Sequence, residues 1–358
     1  MTRIKIHIPR RVRRILIPVG WLFGQITRLR RFCYRKGIFH SRKADVPTIN
    51  VGNIAVGGTG KTPHVEYLLS LLKENHQPAL LSRGYGRNTH GYVFANSNEE
   101  SLTAECIGDE PLLLHSIHPE LPLAVDGNRL EGIRKLCLDA PDTDIIILDD
   151  AFQHLSLKAD INIVLTEYSW PYYQDYPMPA GRLREFPSAI ADADMVIVTK
   201  TTADPQTIQK EAWRQRLQLT PQQPLFFTSY QYLAPIPVTP AAQSFSTENV
   251  TDILLVTGIG HSQPMVDYLE SQFHIVNHIQ YADHQRYTLA DIRHIQQTYD
   301  SIGRQLPILT TEKDWMRIQD KVLKKSVSSL PIFILPIMVQ FIFEEEKLNF
   351  NRIIQQLC

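Results

Sequence analysis

The sequence predicts an α/β protein whose first unit is a doubly wound parallel sheet. Three observations predict it. Short apolar runs rich in β-branched residues alternate with stretches of helical period. A glycine-rich loop joins the first of those strands to the helix after it. Several strands end in charged residues, and in such sheets ligands gather at the carboxyl ends of strands. The 358 residues allow two domains with ample core. A hydrophobic content of 43% and a charged content of 21% fit an ordered globular chain. The four cysteines, Cys33, Cys106, Cys137 and Cys358, lack the spacing of a zinc or redox pair and point to a reducing compartment.

The first element is a basic arm. Residues 1–43 hold 13 Lys or Arg and no Asp or Glu, which leaves 24 basic against 37 acidic residues in the remainder. Between Arg14 and Arg28 lie 13 residues, nearly all apolar. As a helix they span about 20 Å, short of the ~30 Å hydrocarbon core. From Pro18, which suits a first helical turn, Val19, Leu22, Phe23, Ile26, Leu29, Phe32 and Cys33 share one face. Arg28, Arg30, Arg31 and Arg35 supply charge around it, and Trp21 suits a headgroup anchor. This is the pattern of a helix lying in a membrane interface. A signal peptide is a poorer fit, because no small-residue cleavage site follows. A nucleic-acid arm would not need the apolar stripe. A helix packed on its own domain is the plain structural rival.

The glycine loop comes next. Residues 48–51, "TINV", are strand-like, and residues 63–73, "PHVEYLLSLLK", carry Val65, Leu68, Leu69 and Leu72 at helical spacing. Between them stand Ala55, Val56, Gly57, Gly58, Thr59, Gly60, Lys61 and Thr62. Glycines let a backbone approach phosphate closely, and successive N–H groups at a helix N-terminus bind anionic oxygens. Lys61 then reaches the outer phosphates and Thr62 a Mg²⁺ ion. The P-loop template G-x-x-x-x-G-K-[ST] is met except that Ala55 replaces the first glycine. Regulatory ATPases with a "KGGxGKT" loop carry a lysine where this chain has Val56, which counts against that class.

A P-loop needs an acidic partner at the end of an apolar strand, and "DIIILDDAFQH" offers Asp149 and Asp150 after four aliphatic residues. "PALLSRGYGR", "INIVLTE" and "DMVIVTK" read as further strands, ended by Arg83, Tyr85 and Arg87 in the first and Lys200 in the last. Residues 203–250 are rich in Pro, Gln and Thr and read as linker, with "PLFFTSYQYLAPIPV" extended near a hinge. "DILLVTGIGHSQPMVDYLESQ", "PILTTEKDW" and "SLPIFILPIMVQF" then build a second α/β unit. The expected division is residues 1–43 as the membrane-associating helix region and 44–220 as the P-loop domain. Residues 221–245 form a linker or β-ribbon, and 246–358 a second domain whose last segment packs back on the first.

With "GDEPLLL", "PAGRLREF", "VTGIGHS", "ADHQRYT" and "TTEKDW" in this order, the chain resembles the tetraacyldisaccharide 4′-kinase family, the lipid A 4′-kinases, nearly end to end. The resemblance implies two α/β/α sandwich domains joined by a β-ribbon, with ATP in the cleft. It implies transfer of the γ-phosphate of ATP, with Mg²⁺, to the 4′-hydroxyl of a tetraacylated glucosamine disaccharide 1-phosphate. Asp109 in "GDEP" corresponds to the base that accepts the hydroxyl proton, and His284 in "ADHQ" to its partner in a dyad. Lys61 and Arg129 would meet the transferring charge. Thr62, Asp149 and Asp150 would organise the metal, with Glu110 and Glu185 as further acidic candidates. Arg182 and Arg184 would contact nucleotide phosphate or the acceptor's phosphate, and Arg83 and Tyr85 phosphate or acceptor.

The implied partners are an acylated disaccharide lipid and the cytoplasmic face of the bacterial inner membrane, met peripherally or monotopically through the N-terminal helix. No nucleic acid and a monomeric state are expected. Since Asp109 and His284 lie in different units, closure of the two would assemble the dyad only over bound substrates. Two rivals remain. One is a membrane-docked regulatory NTPase, the other a soluble small-molecule P-loop kinase, which would not need the basic apolar arm.

Overall fold

The computed structural model describes residues 10–95, 102–246, 248, 250–283, 285–303, 305–319 and 321–357. Its helices are α1 Arg10–Arg35, α2 Lys61–Leu72, α3 Ala104–Ile107, α4 Asp109–Ile117, α5 Arg129–Asp139, α6 Lys210–Arg216, α7 Pro240–Gln243, α8 Gln263–Glu270, α9 Leu289–Ser301, α10 Glu312–Ile318, α11 Lys321–Val327 and α12 Glu344–Gln355. Its strands are β1 Thr48–Asn53, β2 Pro78–Ser82, β3 Val93–Ala95, β4 Leu123–Val125, β5 Ile145–Asp149, β6 Ile161–Glu167 and β7 Met195–Thr199. They continue with β8 Leu225–Tyr232, β9 Ile236–Pro237, β10 Asp252–Thr257, β11 His274–Gln280, β12 Ile308–Thr311, β13 Ile332–Leu335 and β14 Ile337–Phe341.

Among the described residues nine strands form one sheet, in the order β14-β8-β7-β6-β1-β5-β2-β4-β3. All neighbours from β8 to β4 are parallel, and only the edge strands β14 and β3 run antiparallel. From β1 the chain crosses to β2, β3 and β4, returns to insert β5 between β1 and β2, and then runs the other way through β6, β7 and β8, so strand order reverses at β1. Parallel strands covered on both faces read as continuous apolar runs. β5 does so, with Ile145, Ile146, Ile147 and Leu148 fully buried. The stripe expected on α2 is buried as Val65, Leu68, Leu69 and Leu72.

The second sheet has the order β11-β10-β12-β13-β9. Two antiparallel pairs, β8 with β14 and β9 with β13, run from one sheet into the other. β8 also pairs with β7, so residues 225–232 belong to the first sheet as well as to this ribbon. α12 covers β8 and β14 through Phe350, whose ring meets Phe226 and Phe341, and Tyr67 of α2 hydrogen-bonds Asn351 of α12 at 2.8 Å. The sheets also meet where α4 faces α10.

Two local expectations are corrected. "EKDW" is not strand but the start of α10, because Thr311 accepts from the Asp314 N–H as N-cap and acidic residues follow in the first turn. The N-terminal helix does not begin near Pro18. It starts at Arg10 and carries Pro18 inside. Pro18 and Arg14, whose carbonyl loses its helical donor, are both exposed, so water can serve that carbonyl.

α1 docks on its own domain through a narrow face. A Cβ on Gly20 would lie 2.5 Å from the Pro177 carbonyl, and one on Gly24 2.5 Å from the Phe186 ring. Arg31 is buried at the same face. Most of the expected apolar face points away: Val19, Leu22, Ile26, Leu29 and Phe32 are about half exposed or more, joined by Val12 and Ile15. Phe23 and Cys33 are half-buried. Among the described residues no helix is long and apolar enough to cross a membrane.

Candidate active site

The loop between β1 and α2 is held in a cradle by its neighbours. Gly57 (φ 117°) and Gly60 (φ 93°) take left-handed backbone. Gly60 has no room for a side chain, since a Cβ there would lie 2.2 Å from the Tyr230 hydroxyl. Asn53 donates to Thr59 Oγ1 at 2.6 Å, and Thr199 Oγ1 donates to the Thr59 carbonyl at 2.8 Å. Lys200 Nζ donates to the Gly58 carbonyl and pairs with Glu167 at 2.7 Å. Residues 54–56 are laced to 182–184: the Val56 N–H bonds the Arg182 carbonyl and the Arg184 N–H the Ile54 carbonyl, both at 2.8 Å. Ala55 is buried against this segment and Val56 is exposed. His64, one turn into α2, bridges the Gly60 carbonyl (2.7 Å) and Thr228 of β8 (3.0 Å). Burial pushes its imidazole down to about 4, so it stays neutral near pH 7.

The acidic residues lie beside this loop. Lys61 Nζ is 3.6 Å from Asp150 Oδ2, and Thr62 is buried in the first turn of α2. Asp150 adopts a left-handed backbone (φ 53°) and receives Arg184 Nη1 at 2.9 and 3.0 Å. Asp149 accepts from Ser82 Oγ at 2.9 Å through Oδ2, while its buried Oδ1 has no hydrogen-bond partner. Burial first, then the nearby Glu110 and Asp150 carboxylates, push the Asp149 carboxyl up to about 6 against the pull of Lys61.

Asp109 and Glu110 open α4. Both meet the second sheet's helix α10. Arg317 donates Nε to Asp109 Oδ2 at 3.0 Å and also brings Nη2 to it, and Lys313 Nζ meets Glu110 Oε1 at 2.5 Å. Burial alone would raise the Glu110 carboxyl, but Lys313 and Lys61 outweigh it and hold the group below its ordinary value. Arg317 also donates to the Gly258 carbonyl (3.2 Å) and pairs with the buried Asp314 (3.3 Å), so its reach to Asp109 is anchored from behind.

The expected site residues therefore divide. Lys61, Thr62, Asp149 and Asp150 come together, with Glu110 in the same electrostatic neighbourhood. Arg184 joins them through Asp150. Arg182 lies by the loop but is paired with Asp175 (2.9 Å) and stacked 3.5 Å over Trp170. Arg129 is buried and braces two backbone carbonyls, Asp126 and Asp149. Arg83 and Tyr85 are exposed just beyond β2. Glu185 does not join the acidic cluster, since both its oxygens are taken by Arg31 at 2.8 Å. His284 lies outside the described residues, and with it the expected pairing with Asp109.

The segment "TTEKDW" has no role among the expected site residues. Its signal is Lys313 and Arg317 four residues apart, hence on one helix face, in a chain whose "GDEP" needs basic partners. His64 carries no comparable signal, being one of 13 histidines.

Residues 12–357 match the family model described as tetraacyldisaccharide-1-P 4′-kinase. A tetraacyldisaccharide 4′-kinase of Bacteroides thetaiotaomicron is 38% identical over 362 residues, covering 98% of this chain and 92% of the relative. One of Cytophaga hutchinsonii is 39% identical over 308 residues, covering 85% of each. Among solved structures, the "apo" form of LpxK from Aquifex aeolicus in complex with ATP aligns with a TM-score of 0.73 at 26% identity, over 97% of this chain and 99% of that one. A match of this length and identity, on an α/β fold with a phosphate-binding loop and an acidic strand end beside it, shows that the chain belongs to the tetraacyldisaccharide-1-P 4′-kinase family.

Proposed function

We propose that the chain transfers the γ-phosphate of ATP to the 4′-hydroxyl of a tetraacylated disaccharide 1-phosphate, the reaction its family is named for, with the residues gathered around Lys61. The observation that carries this is the convergence of Lys61, Thr62, Asp149 and Asp150 at one end of the first sheet, with Asp109 and Glu110 at the adjoining start of α4. The regulatory NTPase alternative is not favoured, because the full-length relatives are kinases.

A Mg²⁺ ion fits the residues present. Asp149 offers a buried oxygen with no hydrogen-bond partner, on a carboxyl whose ionised form burial and the neighbouring carboxylates disfavour. Mg²⁺ binds one or two carboxylates and takes its other ligands from water and phosphate. Thr62, Asp149 and Asp150 would hold it, with Glu110 nearby. Once bound it supplies positive charge against the phosphates.

The rest falls to the chain's own groups. The loop amides and Lys61 orient the phosphates and meet the charge that spreads over the transferring phosphoryl. Asp109, held by Arg317, accepts the proton of the attacking hydroxyl, with His284 as its partner. Arg184 and Arg182 flank the phosphates, Arg129 keeps the end of β5 in place, and the exposed Arg83 and Tyr85 face the acceptor. Bringing Asp109 and Arg317 together from different sheets ties the proton acceptor to closure of the two units, which we take to divide near residue 245.

The acceptor is a lipid, and the exposed stripe of α1 supplies a way to reach it. Val19, Leu22, Ile26 and Leu29 would enter the cytoplasmic leaflet of the inner membrane while Arg28 and its neighbours meet anionic headgroups. The protein acts there as a peripheral monomer and needs no nucleic acid. The deciding assay uses ATP labelled in the γ-phosphate, Mg²⁺ and the acceptor in detergent micelles. Wild type should label the lipid, and Asp109→Ala should lose about 10³-fold or more in rate. Equal labelling by both discards Asp109 as base. Free phosphate without labelled lipid discards the kinase.

A further inference from the structure

α1 has two faces with separate surroundings. The outer one is the exposed apolar stripe. The inner one does more than attach a tether. Arg31, 5% exposed, gives Nε and Nη2 to the two oxygens of Glu185 at 2.8 Å and Nη1 to Asp192 at 2.5 Å. Its guanidinium lies 4.8 Å over the ring of Phe152, and Nη2 also reaches the Phe152 carbonyl at 3.4 Å.

Two of these contacts, Glu185 and Phe152, lead to the phosphate loop. Glu185 follows Arg184, whose N–H bonds the Ile54 carbonyl and whose side chain pairs with Asp150. Two residues earlier, the Arg182 carbonyl accepts from the Val56 N–H. Phe152 follows the Asp149–Asp150 pair and presses on β1, where a Cβ at Gly52 would lie 2.7 Å from that of Phe152. Arg30 adds a bond to the Gln153 carbonyl at 3.1 Å, and Gln153 in turn accepts from Arg184. An ion pair this buried strands a charge if either partner is lost. A tether has no use for such a dependence, and an exposed pair would serve it as well.

From this geometry we infer that Arg31 and Glu185 are positioning residues for the nucleotide site: the seating of α1 on residues 177–192 sets the phosphate loop and the Asp149–Asp150 turn. α1 is then one lever with two loads, lipid on its outer face and the phosphate loop on its inner face. Coupling between two such loads is reciprocal, so whatever factor the membrane applies to ATP affinity, ATP applies to membrane affinity. This rests on the reading of residues 55–62 as the ATP-phosphate site.

The test separates the faces. Binding of Mg²⁺–ATP is measured by calorimetry without lipid. Partition onto mixed phosphatidylcholine and phosphatidylglycerol vesicles is measured by sedimentation. Arg31→Gln should weaken ATP binding about tenfold and leave partition nearly unchanged. Arg31→Lys, which keeps the charge but not the fork, should fall between it and wild type. The double variant Arg31→Gln with Glu185→Gln should recover part of the affinity, since Glu185 no longer strands a charge and Asp192 keeps its pair with Arg35. Leu22→Ser with Ile26→Ser should do the reverse, losing partition and keeping ATP affinity.

If Arg31→Gln fails to fold by circular dichroism, Gly20→Ala decides, because its Cβ meets the backbone carbonyl of Pro177 and lifts the helix without touching a charge. Folded Arg31→Gln or Gly20→Ala protein that binds ATP as wild type does overturns the inference. Lys61→Ala is the control on its foundation. Undiminished ATP affinity there would discard the phosphate-loop reading itself, whatever Arg31 does.

Discussion

The two flanks of the phosphate loop are built alike in backbone and opposite in charge state. β5 on one side and β7 on the other are each followed by a non-glycine residue in left-handed conformation, Asp150 (φ 53°) and Lys200 (φ 54°). Such a residue costs on the order of 1 kcal/mol, so each turn is held by contacts. On the β7 flank the charges are closed on one another. Lys200 is taken by the Gly58 carbonyl and Glu167, while Arg182 is taken by Asp175 and lies 3.6 Å from Glu167. On the β5 flank Arg184 pairs with Asp150, but the set stays open at Asp149. Asp149 keeps an oxygen without a partner, its carboxyl is pushed up to about 6, and Lys61 stands 3.6 Å from Asp150. A closed set of charges shapes a loop. An open one is arranged for ligands that bring their own charge.

The comparison can be broken in three ways. Lys61→Ala should cut phosphoryl transfer by about 10³-fold, the scale of losing a main transition-state contact. A loss under tenfold would remove the β5 flank from the chemistry. Lys200→Ala should raise the KM for ATP about tenfold with kcat changed only a few-fold, since it disturbs the loop and not the reacting phosphate. A collapse of kcat at saturating ATP would put the β7 flank in the chemistry too.

The smallest effect is on stability. The Asp149 carboxyl titrates near 6 when folded, against an ordinary value near 4 when unfolded. The folded protein therefore holds the extra proton between those values. Asp149 then destabilises the metal-free fold increasingly as pH rises from about 4 to 6, and fully above that. Asp149→Asn should raise the melting temperature of metal-free protein by about 3 °C at pH 8 and little at pH 4. Thermal scans at the two pH values check this, and equal shifts at both would show that Asp149 is not uncompensated.

What could be read in the chain differs between these regions for a physical reason. "GGTGKT" and "IIILDD" were legible because the constraint on them is local: a loop needs glycine where backbone turns left-handed, and a strand buried on both faces needs unbroken aliphatics. The closed flank was not, because the neighbours of Lys200 and Arg182 come from β6 and the loops around it. Glu185 is a case of the same kind. The resemblance makes it a further acidic candidate for the metal, but only the docking of α1 supplies Arg31 to take both its oxygens. Pro18 suits a helix start because proline favours one, but its exposure lets the helix run through it.

The sequence by itself determined the α/β class, the phosphate loop, the acidic strand end and the amphipathic α1, since each follows from residue type and spacing within a few turns. Tertiary structure alone decided which side of α1 faces out, which carboxylates stay open, and that Lys313 and Arg317 of the second sheet meet Glu110 and Asp109 of the first. Those outcomes depend on residues 34 to 208 positions apart, and the charge of a side chain says nothing about which opposite charge will reach it first.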